Sequence, residues 1–238
     1  GGYLVVVGTG KFFEDADVTN TTPQATYGIY DKTAFGAPHP DPGTSQVSGV
    51  TNLVEQTILN TGSTDLLSTS DFFTISANPI DWSQNEGWYF KLPFTGQRVM
   101  YPIDSLLGRI IRVDTIVPSD PDTDPCNTPT SAAGYNFIVD ALTGGSPQAA
   151  ILDTNRDGKV DSSDGVGMSG YTTSADGRDV AIERTETSTS TSKDFLILNA
   201  NKGDGKGATL VKLDLCKLGL SSCTRTIAKR SWRQLFLR

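Results

Sequence analysis

The sequence predicts an all-β fold, built as a barrel, a sandwich or a propeller, with at most one helix. Hydrophobic residues make up 37% of the 238 positions, and much of that fraction is Val, Ile, Leu, Tyr and Phe. The chain has 24 Gly and 12 Pro, with many Ser, Thr, Asn and Asp, which favour turns over long helices. Short apolar runs also recur with turn residues between them. The length fits one large domain or two small ones.

Nine segments have the alternating or β-branched pattern of strands. They are 3–7, 25–31, 87–93, 98–103, 108–117, 135–141, 180–186, 194–200 and 208–215. The segment 50–60 instead predicts a helix, because Val50, Leu53, Val54 and Ile58 fall roughly on one helical face. Residues 118–126, rich in Pro and Asp, predict an exposed loop. The low-complexity stretch 185–194 predicts a long hairpin tip or a mobile excursion.

The charge and the apolar pattern exclude two classes of partner. The net charge is -7 and the body of the chain has no basic cluster, so we expect no nucleic-acid binding. No apolar run approaches the roughly 18 residues of a membrane span. The N-terminal "GGYLVVVGTG" predicts a strand that enters a glycine turn, with no charged region of a signal peptide before it. This abrupt start suggests a fragment of a longer protein.

The cysteines and the one histidine do not form a recognisable site. Cys126, Cys216 and Cys223 fit no C-x-x-C metal or redox motif. In an exported protein, Cys216 and Cys223 either form a disulfide that closes a hairpin or stay free. Cys126 is then left over. His39 lies in "GAPHPDPG", a Pro-Gly loop that positions a general base poorly, so we expect a surface loop there.

The segment 151–167, "ILDTNRDGKVDSSDGVG", has the spacing of an EF-hand-type calcium loop. Positions 1, 3, 5, 7, 9 and 12 are Asp153, Asn155, Asp157, Lys159, Asp161 and Asp164. Gly158 stands at position 6, where a sharp turn is needed, and Lys159 contributes only its main-chain carbonyl.

Four carboxylates in one small loop repel each other, and this favours a bound cation over an acidic surface turn. Oxygen ligands in this number suit Ca²⁺ better than Mg²⁺, which prefers a small octahedral shell with several waters. Position 12 is Asp instead of Glu, which predicts either a weaker site or a nine-residue site that closes at Asp161. A dockerin module is the alternative carrier of such a loop, but dockerins pair two loops with flanking helices. A solitary loop between β-strands fits this sequence better.

Motifs along nearly the whole chain resemble the PilC/PilY family of type IV pilus tip-associated adhesins. The similar stretches are "VVVGTGKFFEDADV" with "QATYGIYDK", "GWYFKLPFTGQRVMYPIDSLLGRIIRVDTIVPSDPDTDPC", the calcium loop, and the terminal "AKRSWRQLFLR". The matched positions include Asp17, Gly28, Trp88 and Arg98, while Gln97 stands where the family pattern has Glu.

The resemblance implies a C-terminal, modified β-propeller over residues 1–238 with an inserted EF-hand-like calcium loop. It also implies an exported protein at the pilus tip, the cell surface or the outer membrane. There it would support pilus assembly, extension and retraction, twitching motility and attachment to a host or abiotic surface. The calcium ligands carried over are Asp153, Asn155, Asp157, Lys159 and Asp161. Asp164 is added by the loop spacing alone.

Two other functions are alternatives to this one. A quinone-dependent dehydrogenase is also a propeller, but the chain shows no G-x-S-x-G, H-E-x-x-H or P-loop, so we expect no enzyme. Lys-Gly-Asp in "NKGDGKG" (201–207) resembles an integrin-binding signal, although a glycine-rich hairpin tip explains it better. The basic and apolar segment 224–238 is either the last strand or a tail that docks minor pilins of the pilus tip.

Overall fold

The structure is a computed structural model, which describes most of the N-terminal three quarters of the chain and three later strands. The described residues are 2–33, 36–38, 49–60, 72–107, 109–118, 133–155, 157, 159–173, 181–188, 191–201 and 208–213. His39, the three cysteines and residues 224–238 lie outside them, and the expectations for these residues stay predictions. The loop predicted at 118–126 also lies outside, except for its first residue.

The described residues form fourteen strands and one single-turn helix. In chain order these are β1 Tyr3–Gly8, α1 Asp15–Val18, β2 Ala25–Asp31, β3 Leu53–Gln56, β4 Ile58–Asn60, β5 Phe72–Ile75, β6 Gly87–Lys91, β7 Arg98–Val99, β8 Asp104–Leu107, β9 Ile110–Val117, β10 Ala133–Asp140, β11 Met168–Thr173, β12 Ala181–Ser188, β13 Thr191–Asn201 and β14 Ala208–Leu213. The all-β prediction is therefore confirmed.

These strands form three sheets. The first has the order β1-β2-β6-β3, in which β3 runs parallel to β6 and the other pairs are antiparallel. The second has the order β4-β5-β11-β10-β9-β7, with β8 also paired to β9. The third is the antiparallel meander β12-β13-β14. All the pairs in the second and third sheets are antiparallel.

Each of the nine predicted strands coincides at least in part with an observed one. The predicted strand at 98–103 is shorter in the structure, where only Arg98 and Val99 pair as β7. The strands β5, β8 and β11 were not predicted from the sequence. The described residues of the stretch 185–194 belong to β12 and β13, which pair antiparallel with Ser188 opposite Thr191, as a hairpin requires; residues 189 and 190 lie outside the described residues. The register of β13 and β14, with Asn201 opposite Ala208, fits the hairpin predicted around 201–207, whose tip lies outside the described residues.

The predicted helix at 50–60 is wrong, because this segment forms β3 and β4. The apolar spacing at 50–58 matches a helix, but Leu53–Gln56 hydrogen-bonds in parallel register with β6 instead. Gln56, 1% exposed, holds this arrangement: its Nε2 donates to the carbonyls of Asn78 and Thr143 at 2.8 and 2.9 Å. Pairing with a buried neighbouring strand thus overrides the local helical pattern.

The main core fills the space between the first and second sheets. Strand β6 contributes Trp88 and Phe90, both 0% exposed, which pack with Phe73 of β5 and Phe137 of β10. The Trp88 ring is fixed by a hydrogen bond from its Nε1 to the Ala141 carbonyl at 2.8 Å. Large aromatic rings dominate this layer, and so they supply much of the burial that stabilises the two-sheet unit.

A second, smaller core lies on the opposite face of the seven-stranded sheet. Its strand residues are Phe72, Ile110, Ile138 and Tyr171, and the chain after β10 adds Ile151 and Leu152. Ile151 and Leu152 are 0% and 1% exposed, and they come directly before the aspartate loop. This core therefore fixes the point at which the loop leaves the sheet.

Candidate metal site

The aspartate loop, residues 153–164, lies between two anchored segments of the second sheet's outer face. The buried Leu152 precedes the loop, and β11 begins at Met168 shortly after it. Val160, 6% exposed, is buried in the middle of the loop. A rigid scaffold thus holds both ends and one interior point of the loop. Arg156 and Gly158 lie outside the described residues.

The first half of the loop is folded by hydrogen bonds from main-chain amides to its own polar side chains. The amide of Asp157 donates to Asp153 Oδ1 at 3.1 Å and to Asn155 Oδ1 at 2.9 Å. The amide of Lys159 donates to Asp157 Oδ1 at 2.8 Å. These Asx-type turns wrap the chain around its own carboxylate and amide oxygens. The order of the turns follows the predicted ligand positions 1, 3 and 5.

The second half of the loop is closed by Asp161 and Asp164. Asp161 Oδ1 accepts from the amide of Ser163 at 2.9 Å and from its hydroxyl at 2.7 Å. Asp164 is 2% exposed, and its Oδ1 accepts from the amides of Thr154 and Asn155 at 2.7 and 3.3 Å. Its Oδ2 accepts from the amide of Asp161 at 2.9 Å. Asp164 therefore ties the beginning of the loop to its end.

The six predicted ligand residues share this one loop, yet their carboxylates are not gathered at a single point. Among the residues that the structure describes, no group of three His, Cys, Asp or Glu side chains is placed to hold a metal ion. The predicted ligand set also uses the amide oxygen of Asn155 and the carbonyl of Lys159, which are hard oxygen donors of the kind that Ca²⁺ takes. The donor chemistry fits Ca²⁺, and coordination by any of the six residues stays a prediction.

Asp17 and Arg98, which the sequence marked only as matched positions, form a structural clamp far along the chain from the loop. Arg98 is 3% exposed, and its guanidinium donates to the carbonyls of Gly96 at 2.9 Å, Lys11 at 2.6 Å, Asp17 at 2.6 Å and Asn20 at 2.9 Å. Burial lowers the pKa of Arg98. This side chain fixes the segment 11–20 against β7, so its role is structural.

The Asp17 carboxylate holds the same segment together through hydrogen bonds within it. Its Oδ2 accepts from the amides of Phe13 and Glu14 at 2.8 and 3.0 Å. The Phe13 amide, with further help from Glu14 and Lys11, keeps the pKa of Asp17 below its ordinary value. A single sequence gives no signal for this clamp, because its two members are 81 positions apart.

Gln97, next to Arg98, occupies a buried position where an amide suits the surroundings. The side chain is 1% exposed, and its Nε2 donates to Thr115 Oγ1 at 2.7 Å. Thr115 Oγ1 in turn donates to the Tyr135 carbonyl at 2.8 Å. The Gln97 Oε1 accepts from the Phe94 amide at 3.0 Å. Each polar atom of Gln97 therefore has a partner of the correct sense.

Comparisons with known proteins decide the family. A family model described as the PilY1 beta-propeller domain matches residues 1–71. The type IV pilus biogenesis factor PilY1 of Pseudomonas aeruginosa strain PAO1 is 32% identical over 179 residues, and the alignment covers 68% of this chain and 14% of the relative. The chain belongs to the PilY1 family. The PilY1 of P. aeruginosa strain UCBPP-PA14 is 28% identical over 178 residues, with 68% of this chain and 15% of the relative covered.

A solved PilY1 structure has the same fold. The crystal structure of the P. aeruginosa PilY1 C-terminal domain aligns with a TM-score of 0.57 and 23% identity, over 88% of this chain and 41% of that chain. The predicted resemblance and the all-β, propeller-like fold are therefore confirmed. This PilY1-family chain spans about 14% of the length of its curated relatives. No helix in the described part of the chain is long and apolar enough to cross a membrane.

Proposed function

We propose that this chain is the calcium-binding, propeller-like part of a type IV pilus biogenesis factor that acts at the pilus tip. The observation that carries the proposal is the aspartate loop, whose turns at Asp153, Asn155 and Asp157 follow the ligand order of a calcium loop on an anchored scaffold. The printed names of the relatives, type IV pilus biogenesis factors, support the pilus part.

Five positions would hold the ion. They are the side chains of Asp153, Asn155, Asp157 and Asp161 and the main-chain carbonyl of Lys159. Asp164, which the loop spacing adds at position 12, would be a sixth ligand if the site uses all twelve residues of the loop. A bound Ca²⁺ supplies charge neutralisation for these carboxylates, which repel each other in its absence. Because the loop connects the core segment 151–152 to β11, neutralisation there would stabilise the start of β11, an inner strand of the seven-stranded sheet. The proposed role is therefore to bind the ion and couple its presence to the shape of the propeller, with no catalytic step.

The cellular role follows from the family. We propose an exported protein that supports pilus assembly, extension and retraction, twitching motility and attachment to a host or abiotic surface. Its proposed partners are minor pilins, reached through the basic and apolar segment 224–238. Deletion of residues 232–238 tests this contact: loss of co-purification with minor pilins, in a chain that still binds calcium, supports docking. Loss of folding supports the last-strand alternative instead.

An enzyme function has less support. One of the cavities has a volume of about 390 Å³ and is lined by described residues, with Asn78, Arg109, Asp140 and Gln148 among its polar side chains. Arg109 and Asp140 neutralise each other in an ion pair of 2.6 Å. Cofactor pockets are mostly apolar and aromatic, and no aromatic side chain lines this cavity. Its lining thus gives no reason to prefer a quinone-dependent dehydrogenase.

Calcium titration by calorimetry tests the metal function, with Mg²⁺ as the competing ion. We expect one Ca²⁺ site in the wild-type chain and its loss in Asp161→Ala. Asp81→Ala is a matched control, because Asp81 Oδ1 accepts from the Ser83 amide and hydroxyl at 2.9 and 2.6 Å, as Asp161 does from Ser163. The control removes the same kind of turn outside the loop and should keep the site. A folded wild-type chain that takes up no Ca²⁺ would overturn the metal function.

A further inference from the structure

The cavity of about 390 Å³ that contains the Arg109–Asp140 ion pair lies at one end of the seven-stranded sheet. Strands β5 and β10 end there and β9 begins there, and the residues that line the cavity come from these strand ends and the segments that follow them. Small-molecule sites in proteins have volumes of about 300–1,000 Å³ and are usually formed before the ligand arrives. The cavity therefore has room for a small ligand on a scaffold of paired strands.

The floor of this cavity is buried and polar. Asp140 and Ser146 are 6% and 3% exposed, and the apolar Ile110 beside them is 3% exposed. Asp140 Oδ1 accepts from the Leu142 amide at 3.0 Å, and its Oδ2 pairs with Nη2 of Arg109 at 2.6 Å. The two charges of this pair cancel, so the site has no net charge with which to select an ion.

The polar groups around the cavity include both hydrogen-bond donors and acceptors. Toward the described residues, the ion pair engages only Nη2 of Arg109, so Nε and Nη1 keep N–H groups to donate. The Ser146 hydroxyl accepts from Gln148 Nε2 at 3.4 Å, which leaves its proton for a ligand. Asn78 uses its Nδ2 on the Glu55 carbonyl at 2.8 Å, which leaves its Oδ1 as an acceptor.

This mixture of groups selects a class of ligand. A carboxylate or phosphate needs donors alone, and an ammonium group needs acceptors alone, whereas a hydroxyl group uses both. Apolar surface from Pro79, Ile110 and Pro147 lines the same cavity and gives a place for C–H groups. We propose that the cavity binds a neutral saccharide through one pyranose ring, which has hydroxyl groups on its rim and C–H groups on its faces.

Neighbouring hydroxyl groups of such a ring match the ion pair. Arg109 would donate to the oxygen of one hydroxyl and Asp140 would accept from the hydroxyl beside it, and both are charge-assisted hydrogen bonds. The proposal goes beyond the calcium function and does not depend on it, because none of the residues that line the cavity belongs to the aspartate loop.

Titration of the full 238-residue chain with sugars tests the proposal, by ligand-observed NMR and calorimetry. The probes are D-glucose, D-galactose, D-mannose and N-acetyl-D-glucosamine, with D-glucuronate as an anionic counterpart. We expect at least one neutral sugar to bind with one site per chain, and more tightly than D-glucuronate. The methyl glycoside of that sugar separates two sources of the ligand: equal affinity indicates the end of a glycan, and lost affinity indicates a free sugar.

Three variants locate the site. Arg109→Gln removes charge-assisted donors and should weaken binding about 10- to 100-fold. Ser146→Ala removes one neutral hydroxyl and should weaken binding about 2- to 10-fold. Lys11→Gln is a matched control that should leave binding unchanged. Lys11 pairs with Glu14 at 3.0 Å and its side chain is 52% exposed, close to the 58% of Arg109, but it does not line the cavity.

The proposal is overturned if no neutral sugar of this set binds to the folded wild-type chain. Tighter binding of D-glucuronate than of every neutral sugar would also overturn it, since the cavity would then be an anion site at Arg109. Unchanged affinity in both cavity variants would place the sugar elsewhere on the chain. If Arg109→Gln does not fold, the result for Ser146→Ala decides.

Discussion

Replacing Gly144 by alanine tests the packing that fixes the Trp88 ring at the centre of the main core. A Cβ at position 144 would lie 2.2 Å from Trp88 Cε3 and 2.3 Å from Cδ2. The ring cannot move away cheaply, because it is 0% exposed and held by its hydrogen bond to the Ala141 carbonyl. Overpacking of this kind costs about 1–3 kcal/mol. Gly144 also has φ +67°, and a left-handed conformation costs a residue with a Cβ about 1–2 kcal/mol.

Gly49 separates the two contributions. Its φ is +68°, and a Cβ there would meet nothing within 4 Å. We expect Gly49→Ala to lower the free energy of unfolding by about 1–2 kcal/mol from the backbone conformation alone. Gly144→Ala should lower it by about 2–5 kcal/mol, the sum of both costs. The difference between the two variants therefore measures the collision with Trp88.

The assay is urea unfolding at 25 °C, followed by tryptophan fluorescence, with the midpoint compared at constant slope. In a Trp88→Leu background, which removes the ring, the extra cost of Gly144→Ala should largely disappear. Equal destabilisation by Gly49→Ala and Gly144→Ala in the wild-type background would refute the reasoning. It would mean that the core between the two sheets accommodates the added methyl group.

Two further predictions concern glutamate side chains, one introduced at position 97 and one native at position 55. Gln97→Glu should destabilise the chain by about 1–3 kcal/mol at pH 7. A carboxylate cannot donate to Thr115 Oγ1, and it could accept from the Thr115 hydroxyl only if that hydroxyl gave up its hydrogen bond to the Tyr135 carbonyl. Urea midpoints should recover on acidification, and an unchanged midpoint at pH 7 would count against this account. For Glu55, the Tyr89 hydroxyl and then Lys91 lower the pKa below its ordinary 4.5 in the folded chain. The stabilisation is thus present above pH 4.5 and lost as the pH falls through the lowered pKa. The urea midpoints of wild type and Glu55→Gln should converge on acidification from pH 6 to pH 3, and a constant gap would exclude the effect.

The local sequence pattern was enough to predict most of the strands. Segments such as 25–31 and 108–117 combine β-branched residues with flanking turn residues; the first is β2, and the second contains β9, Ile110–Val117. The sequence missed β11, "MSGYTT", because its two small residues and two threonines weaken the apolar pattern. Gly170 is needed there for a close approach to Phe137 and Phe73, a requirement that only the packed sheets reveal.

The sequence by itself determined the fold class, the family resemblance and the loop at 153–164, because each rests on residue types at short spacings. The tertiary structure decided the rest. Segment 50–60 became two strands because β6 offered a hydrogen-bonding edge and a buried position for Gln56. Arg98 became a clamp because the chain returns to it from residues 11–20. Asp164 is surrounded by main-chain amides from both ends of the loop. Each of these outcomes depends on groups that are distant along the chain, so local spacing carries no signal for them.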